Sequence, residues 1–179
     1  MVRNERSWME QDAFDLLIKY AQAAKGDIVE LGTYRGGSTE AMALVAPNIT
    51  VWSIDKYTDP TIPQLPEYNP IWLYENVFKN LGNIVLMVGE TDVIGRNWKL
   101  PLWCLFMDAN HDYEPTWLNF RIWSRHVIPE GYVIIHDYCE EHKGVYNMVN
   151  DLLDAGVWIK VEQAGSMIVL QRREFTKEA

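Results

Sequence analysis

The run Val29-Glu30-Leu31-Gly32-Thr33-Tyr34-Arg35-Gly36-Gly37-Ser38 decides how the rest of the chain is read. It starts inside a short apolar stretch, Ile28 to Leu31, of the length and character of a buried strand. Gly32 to Gly37 reads as a turn in which glycines let the backbone bend tightly and lie close to a ligand. Ser38 then opens a helix through about Val45, which Pro47-Asn48 breaks. The run carries neither of the familiar phosphate-binding signatures. Tyr34 stands where Gly-x-Gly-x-x-Gly needs its second glycine, and no Gly-Lys-Ser/Thr follows. An acid in front of the turn, Glu30, suits an ammonium better than a pyrophosphate.

Outward from this run, strand-like and helix-like stretches alternate. Phe14, Leu17, Ile18 and Ala21 recur at helical spacing, so residues 10–24 form an amphipathic helix ended at Lys25-Gly26. Ile49 to Ile54 is the second strand and ends at Asp55. Residues 56–70 hold Pro60, Pro63, Pro66 and Pro70 and form a loop well beyond the usual ~4–6 residues, a length often tied to function. A helix at about 71–80 precedes strand three, Ile84 to Val88, and strand four, Leu102 to Met107. Pro115 starts a helix through about Arg125, and Tyr132 to Ile135 is strand five. Val145, Met148, Val149 and Leu152 mark one more helix. Val157 to Glu162 and Met167 to Gln171, around Ala164-Gly165-Ser166, read as a closing hairpin. The alternation predicts an α/β fold on a mainly parallel sheet.

Composition limits the partners. The chain has 179 residues, is 48% hydrophobic and only 23% charged, so it can bury a core as a single domain. Its formal net charge is −9 and it lacks a basic face, which argues against nucleic acid or an anionic membrane and favours small cationic ligands or metal ions. Two cysteines, Cys104 and Cys139, make no disulfide framework and match no zinc spacing. Met1 to Phe14 lacks the apolar core of a signal peptide, and no apolar run reaches membrane-spanning length. A reducing, cytoplasmic setting is the expectation.

Acids fall at or just past the strand ends: Glu30, Asp55, Asp108 and Asp137, with Glu90 behind strand three. In open parallel sheets ligands bind at that edge. Each acid alone is also explained as a cap of the next helix; a shared site explains their regularity. Asp55 can accept the hydroxyls of a ribose.

Set in order, these segments carry a resemblance. The glycine run looks like the first motif of class I S-adenosylmethionine (SAM) dependent methyltransferases, and Ile54-Asp55 like their ribose-binding acid. Val88-Gly89-Glu90-Thr91 resembles the stretch along the adenine. Met107-Asp108-Ala109-Asn110-His111-Asp112-Tyr113-Glu114 and Ile128-Pro129-Glu130-Gly131 through His136-Asp137-Tyr138 resemble motifs of small-molecule O-methyltransferases, most closely the macrocin O-methyltransferase and cephalosporin hydroxylase-like group. The resemblance covers about residues 27–150. Ala109 and Glu130 replace glycines of the pattern, and His136 stands where some members have a second acid.

The resemblance implies a Rossmann-like class I methyltransferase fold. This is a mainly parallel seven-stranded sheet with a C-terminal antiparallel hairpin and helices on both faces. It implies one domain over 1–179, with residues 1–26 as an N-terminal helix segment and 56–70 as a substrate loop. SAM would meet Glu30 at its amine, Gly32, Tyr34, Gly36 and Ser38 along the methionyl part, Asp55 at the ribose, Glu90 and Thr91 near the adenine, and Asp108. Strands four and five are neighbours in such a fold, and paired strands lie ~4.8 Å apart. Two carboxylates that close repel unless a cation joins them, so Asp108, His136 and Asp137 form a candidate Mg²⁺ site. His111 is the candidate general base, beside the plainer reading of a loop histidine bonded to Tyr113 or Glu114. Asp108 and Asp137 complete the catalytic candidates. His126 and His142 read as solvated or structural. The acceptor would be a small-molecule or sugar hydroxyl, and the aromatic content is compatible with a homo-oligomer interface. Two other classes stay open: a nicotinamide-dependent Rossmann oxidoreductase, and a non-catalytic SAM-binding subunit of a biosynthetic assembly.

Overall fold

The four residues Ile28–Leu31 (β1) are fully buried, and the sheet is built outward from them. The computed structural model describes residues 5–62 and 65–173; Pro63 of the proline-rich loop and the two ends of the expected 1–179 domain lie outside these. Val51–Asp55 (β2) and Leu102–Met107 (β4) flank β1 in parallel, Ile28 facing Val51 on one side and Cys104 on the other. Ile84–Val88 (β3) adds to β2, and Val127–Ile135 (β5) to β4, again in parallel. The chain then returns as the hairpin Trp158–Ala164 (β6) and Met167–Arg172 (β7). β7 inserts antiparallel beside β5, giving the seven-stranded order β3-β2-β1-β4-β5-β7-β6.

Alternate residues of each strand point to opposite faces, and each face is covered. On one, Ile28, Val51, Cys104, Phe106 and Val169 pack under Gln11–Gln22 (α1) and Gly37–Val45 (α2). On the other, Val29, Leu31, Leu105, Met107 and Val133 pack under the helices Tyr113–Trp123 and Lys143–Asp154. Among the described residues the α-helices are α1, α2, Pro70–Leu73 (α3), Thr91–Asn97 (α4), Tyr113–Trp123 (α5) and Lys143–Asp154 (α6). No helix of the described residues is long and apolar enough to cross a membrane.

Several boundaries move from the expectation. The helix expected at 71–80 is α3, capped by the Asn69 side chain, and then a π-helical turn Tyr74–Phe78. Strand two starts at Val51 rather than Ile49, and α5 starts two residues before Pro115. Strand five starts at Val127, because Pro129 sits where the pairing with β4 is irregular and no ladder donor is required of it. Helix α4 was not expected. Its seven residues are too few to show a helical period, and it includes Gly95, which packs directly on Ile122 and Trp123.

Candidate functional site

Sheet order reverses between β1 and β4, and the carboxyl ends of the strands there bound a cavity of about 730 Å³. This is the position and size expected for a ligand site in a doubly wound sheet. Gly32, Tyr34 and Asp55 line one part, and Asp108, His111, His136 and Asp137 another. Trp8 and Glu10 from the N-terminal segment, with Asp59, Thr61 and Tyr68 from the proline-rich loop, complete the wall.

In the first part the backbone is shaped by close contacts. Gly32 has φ +97°, and a Cβ there would lie 2.1 Å from the Asp108 carbonyl oxygen, so the turn after β1 presses on the end of β4. Tyr34, with φ +48°, donates its N–H to Asp55 Oδ2 at 2.9 Å. Tyr57 N–H at 2.8 Å and the Tyr68 hydroxyl at 3.3 Å bond Asp55 Oδ1. Asp55 is thus a buried carboxylate, fixed in place at the cavity wall. Glu90 and Thr91 line the cavity beside it; Thr91 Oγ1 donates to Asn119 at 2.8 Å, and Glu90 lies 4.0 Å from Lys56.

Three expected contacts lie behind this wall. Glu30, Gly36 and Ser38 do not line the cavity. Glu30 is wholly buried, and its carboxylate accepts hydrogen bonds from Ser38, Thr39 and Ser53, the last at 2.6 Å. Burial pushes its carboxyl up to about 7 against the opposing pull of these hydroxyls. Its oxygens hold the start of α2 to β1 and β2. Gly36 is the left-handed residue that starts α2, against Phe78 and Leu73.

At the other part of the cavity, charged groups from neighbouring strands meet. His136 is buried, with Nδ1 at 3.1 Å from Asp108 Oδ1 and 3.3 Å from Asp137 Oδ2, and with Nε2 at 3.2 Å from Ser166 Oγ. Burial works against its charge, but the two carboxylates outweigh it and raise the imidazole to about 11. Asp137, a left-handed residue with φ +59°, also meets His111 Nε2 at 2.8 Å through Oδ2. Burial acts to raise Asp137, yet the bonds from His111 and His136 hold it far below the usual carboxylate range. The same bond from Asp137 raises His111. Of its expected partners, Tyr113 is engaged elsewhere: its hydroxyl bonds Asp151 at 2.7 Å.

One residue assigned to solvent or structure belongs here. His142 Nε2 lies 3.5 Å from Asp137 Oδ1, and its ring is 4.3 Å from that of His111. In the sequence its only sign is its place five residues after Asp137, which has no meaning without the 3₁₀ turn Glu140–His142 that folds it back. Glu10 and Ser166, which meet at 3.1 Å beside His136, were likewise not legible.

Residues 29–138, well over half of the chain, match the family described as a methyltransferase domain. The chain belongs to that family. The methyltransferase fold extends over nearly the whole molecule in solved structures. The O-methyltransferase NovP superposes with a TM-score of 0.70 at 18% identity, over 96% of this chain and 84% of its own. TomG from Streptomyces achromogenes, an O-methyltransferase of tomaymycin synthesis solved with SAM, gives 0.67 at 17% identity over 93% and 82%. CalS11, a TDP-rhamnose 3'-O-methyltransferase of calicheamicin biosynthesis, gives 0.66 at 16% over 88% and 76%. At these identities the likeness carries the fold alone. Family and sheet order together make the chain a SAM-dependent methyltransferase of class I fold, with the antiparallel β7 that an all-parallel oxidoreductase sheet lacks.

Proposed function

We propose that this methyltransferase acts on a hydroxyl of a small molecule, a sugar being the class suggested by its resemblance and by the named substrate of CalS11. The observation that carries the reading is the placing of Asp55 and the His111–Asp137 pair on one cavity. The chain's residues fit SAM on this structure. The cavity is large enough, and the Gly32 turn has no room for a side chain. Asp55 keeps carboxylate acceptor capacity beyond its three protein bonds. Gly32 and Tyr34 would lie along the methionyl part, Asp55 at the ribose, Glu90 and Thr91 toward the adenine. When bound, SAM supplies an activated methyl group whose bond to sulfur breaks as the bond to the acceptor oxygen forms.

The rest of the chemistry is the chain's. His111 gives its Nε2–H to Asp137 Oδ2, so Nδ1 is the nitrogen left to take the proton of the acceptor hydroxyl. Asp137 fixes that tautomer and stabilises the imidazolium that forms, and His136 holds Asp137 and Asp108 in register. Trp8, Asp59, Thr61 and Tyr68 would enclose the acceptor and keep water out, so that orientation supplies much of the rate. Magnesium at Asp108, His136 and Asp137 fits this structure poorly. Mg²⁺ demands oxygen donors in near-octahedral array, and here an imidazole nitrogen already lies between the two carboxylates. The free thiols Cys104 and Cys139 agree with a reducing, cytoplasmic setting.

Calorimetry with SAM and its demethylated product tests the first half; absence of binding at millimolar ligand would refute it. Transfer of labelled methyl from SAM to a panel of sugar and phenolic hydroxyls tests the second. Binding without transfer to any of them would instead mark a non-catalytic SAM-binding subunit.

A further inference from the structure

The cluster around Asp137 contains more nitrogen donors than a methyltransferase acceptor site of carboxylates requires. His111 reaches it from the loop after β4, and His142 from the turn before α6. Each imidazole presents Nε2 to a different oxygen of one carboxylate: His111 to Oδ2 at 2.8 Å, His142 to Oδ1 at 3.5 Å. The three donor atoms lie within 4.8 Å of one another, on the cavity wall. Their closeness is built into the backbone. A Cβ on Gly144 would lie 2.1 Å from the His111 carbonyl oxygen and 2.5 Å from the Tyr113 nitrogen. Only glycine lets the segment after His142 lie directly on the His111 loop, and that contact is what brings the two rings to 4.3 Å.

We propose that His111, Asp137 and His142 form a two-histidine, one-carboxylate site for a first-row transition-metal dication such as Zn²⁺ or Co²⁺. Donors bound at ~2.1 Å and subtending 90–110° at an ion are roughly 3–3.4 Å apart, and the two histidine–Asp137 separations, 2.8 and 3.5 Å, lie close to that range. Two neutral imidazoles and one carboxylate favour such ions over Mg²⁺, whose affinity for nitrogen is low. His136, with Nδ1 3.3 Å from Asp137 Oδ2, supplies the outer hydrogen bond that orients a ligating carboxylate. With side-chain exposures of 52% and 35%, His111 and His142 are open to an ion from solvent. Three ligands leave positions facing the cavity, where an acceptor oxygen would bind; in the loaded protein His111 serves as ligand in place of base. That consequence rests on the O-methyl transfer reading, whereas occupancy of the site does not.

The test reads metal binding directly. The full-length protein, stripped with chelator, is titrated with Co²⁺ and followed by its visible d–d absorption, and with Zn²⁺ by calorimetry. One equivalent should bind, millimolar Mg²⁺ should not displace it, and His142→Ala and His111→Ala should each weaken it by about 100-fold. Glu141→Gln, on the same turn but outside the triad, should leave the affinity within about twofold. SAM titration of each variant checks that the fold persists. Lack of Co²⁺ and Zn²⁺ binding, or binding unchanged in a folded His142→Ala protein, would overturn the proposal. So would binding abolished by His136→Ala and Asp108→Ala but not by His142→Ala. Loss of SAM binding with the metal site intact would count against the transferase reading alone.

Discussion

Asp55, at the end of β2, accepts the backbone N–H of Tyr34, the left-handed residue of the turn after β1, at 2.9 Å. The carboxylate expected to hold a ribose therefore also holds the shape of the glycine turn beside it. With Tyr57 and Tyr68 also bonded to it, three of its roughly four lone-pair positions are used within the protein. Removing it should cost SAM affinity twice, through the lost ribose contact and through the loosened turn. Asp55→Ala is expected to weaken SAM binding by about 100-fold, and Asp55→Asn, which retains one acceptor oxygen, by about 10-fold. Calorimetry with SAM measures both; equal losses would mean that the turn does not depend on this bond.

Gly32 shows the same coupling sterically. A methyl group there would meet the Asp108 carbonyl at 2.1 Å, in a backbone conformation of φ +97° that side chains rarely adopt. Gly32→Ala should destabilise the fold by on the order of 3 kcal/mol, because backbone on both sides has to move. Urea unfolding measures it. A loss of under about 0.5 kcal/mol, the range of an ordinary surface substitution, would contradict the close packing of β1 on β4.

Glu30 sets a pH dependence of stability. Burial raises its carboxyl to about 7 in the folded chain, from the ordinary 4.5 that the unfolded chain retains. Between these values the native state holds a proton that the unfolded state has released. Its contribution to stability is therefore greatest below about 4.5, falls as pH rises to about 7, and is level above that. The difference is roughly 3 kcal/mol as an upper order of magnitude. Glu30→Gln keeps the shape and removes the titration, so wild type should lose stability relative to this variant between pH 5 and pH 8. Parallel pH profiles for the two proteins would show that Glu30 does not titrate in that range.

What could be read from the chain differs by element for physical reasons. β1, β3 and β4 are legible to the residue because each is a short, mainly apolar run, ended by an acid or a glycine. α4 was not, since it is held by Gly95 against Ile122 and Trp123, contacts distant in sequence. In the site, Asp55, Asp108 and Asp137 were legible because strand ends mark the ligand edge of a parallel sheet. The burial of Glu30 was not, although Ser38 and Thr39 stood nearby; whether a strand-end acid faces the cavity or the helix depends on strand register and turn shape. His142 was invisible for a related reason, its position being fixed by the contact of Gly144 with the His111 loop.

The His111–Asp137 pair gives the sharpest kinetic expectation. Substituting His111 removes the nitrogen proposed to take the acceptor proton but touches none of the residues near Asp55. His111→Ala in chelated protein should lower kcat by about 10²–10⁴-fold, the usual contribution of a general base, with SAM affinity within about twofold of wild type. Asp137→Asn is the informative companion. Asparagine tolerates the left-handed backbone that this position adopts at φ +59°, so the fold should persist where alanine would add strain. Its amide no longer fixes the His111 tautomer or stabilises the imidazolium, so kcat should fall into the same range while the acceptor KM changes little. If both variants raised KM and left kcat intact, His111 and Asp137 would be positioning the acceptor and not handling its proton.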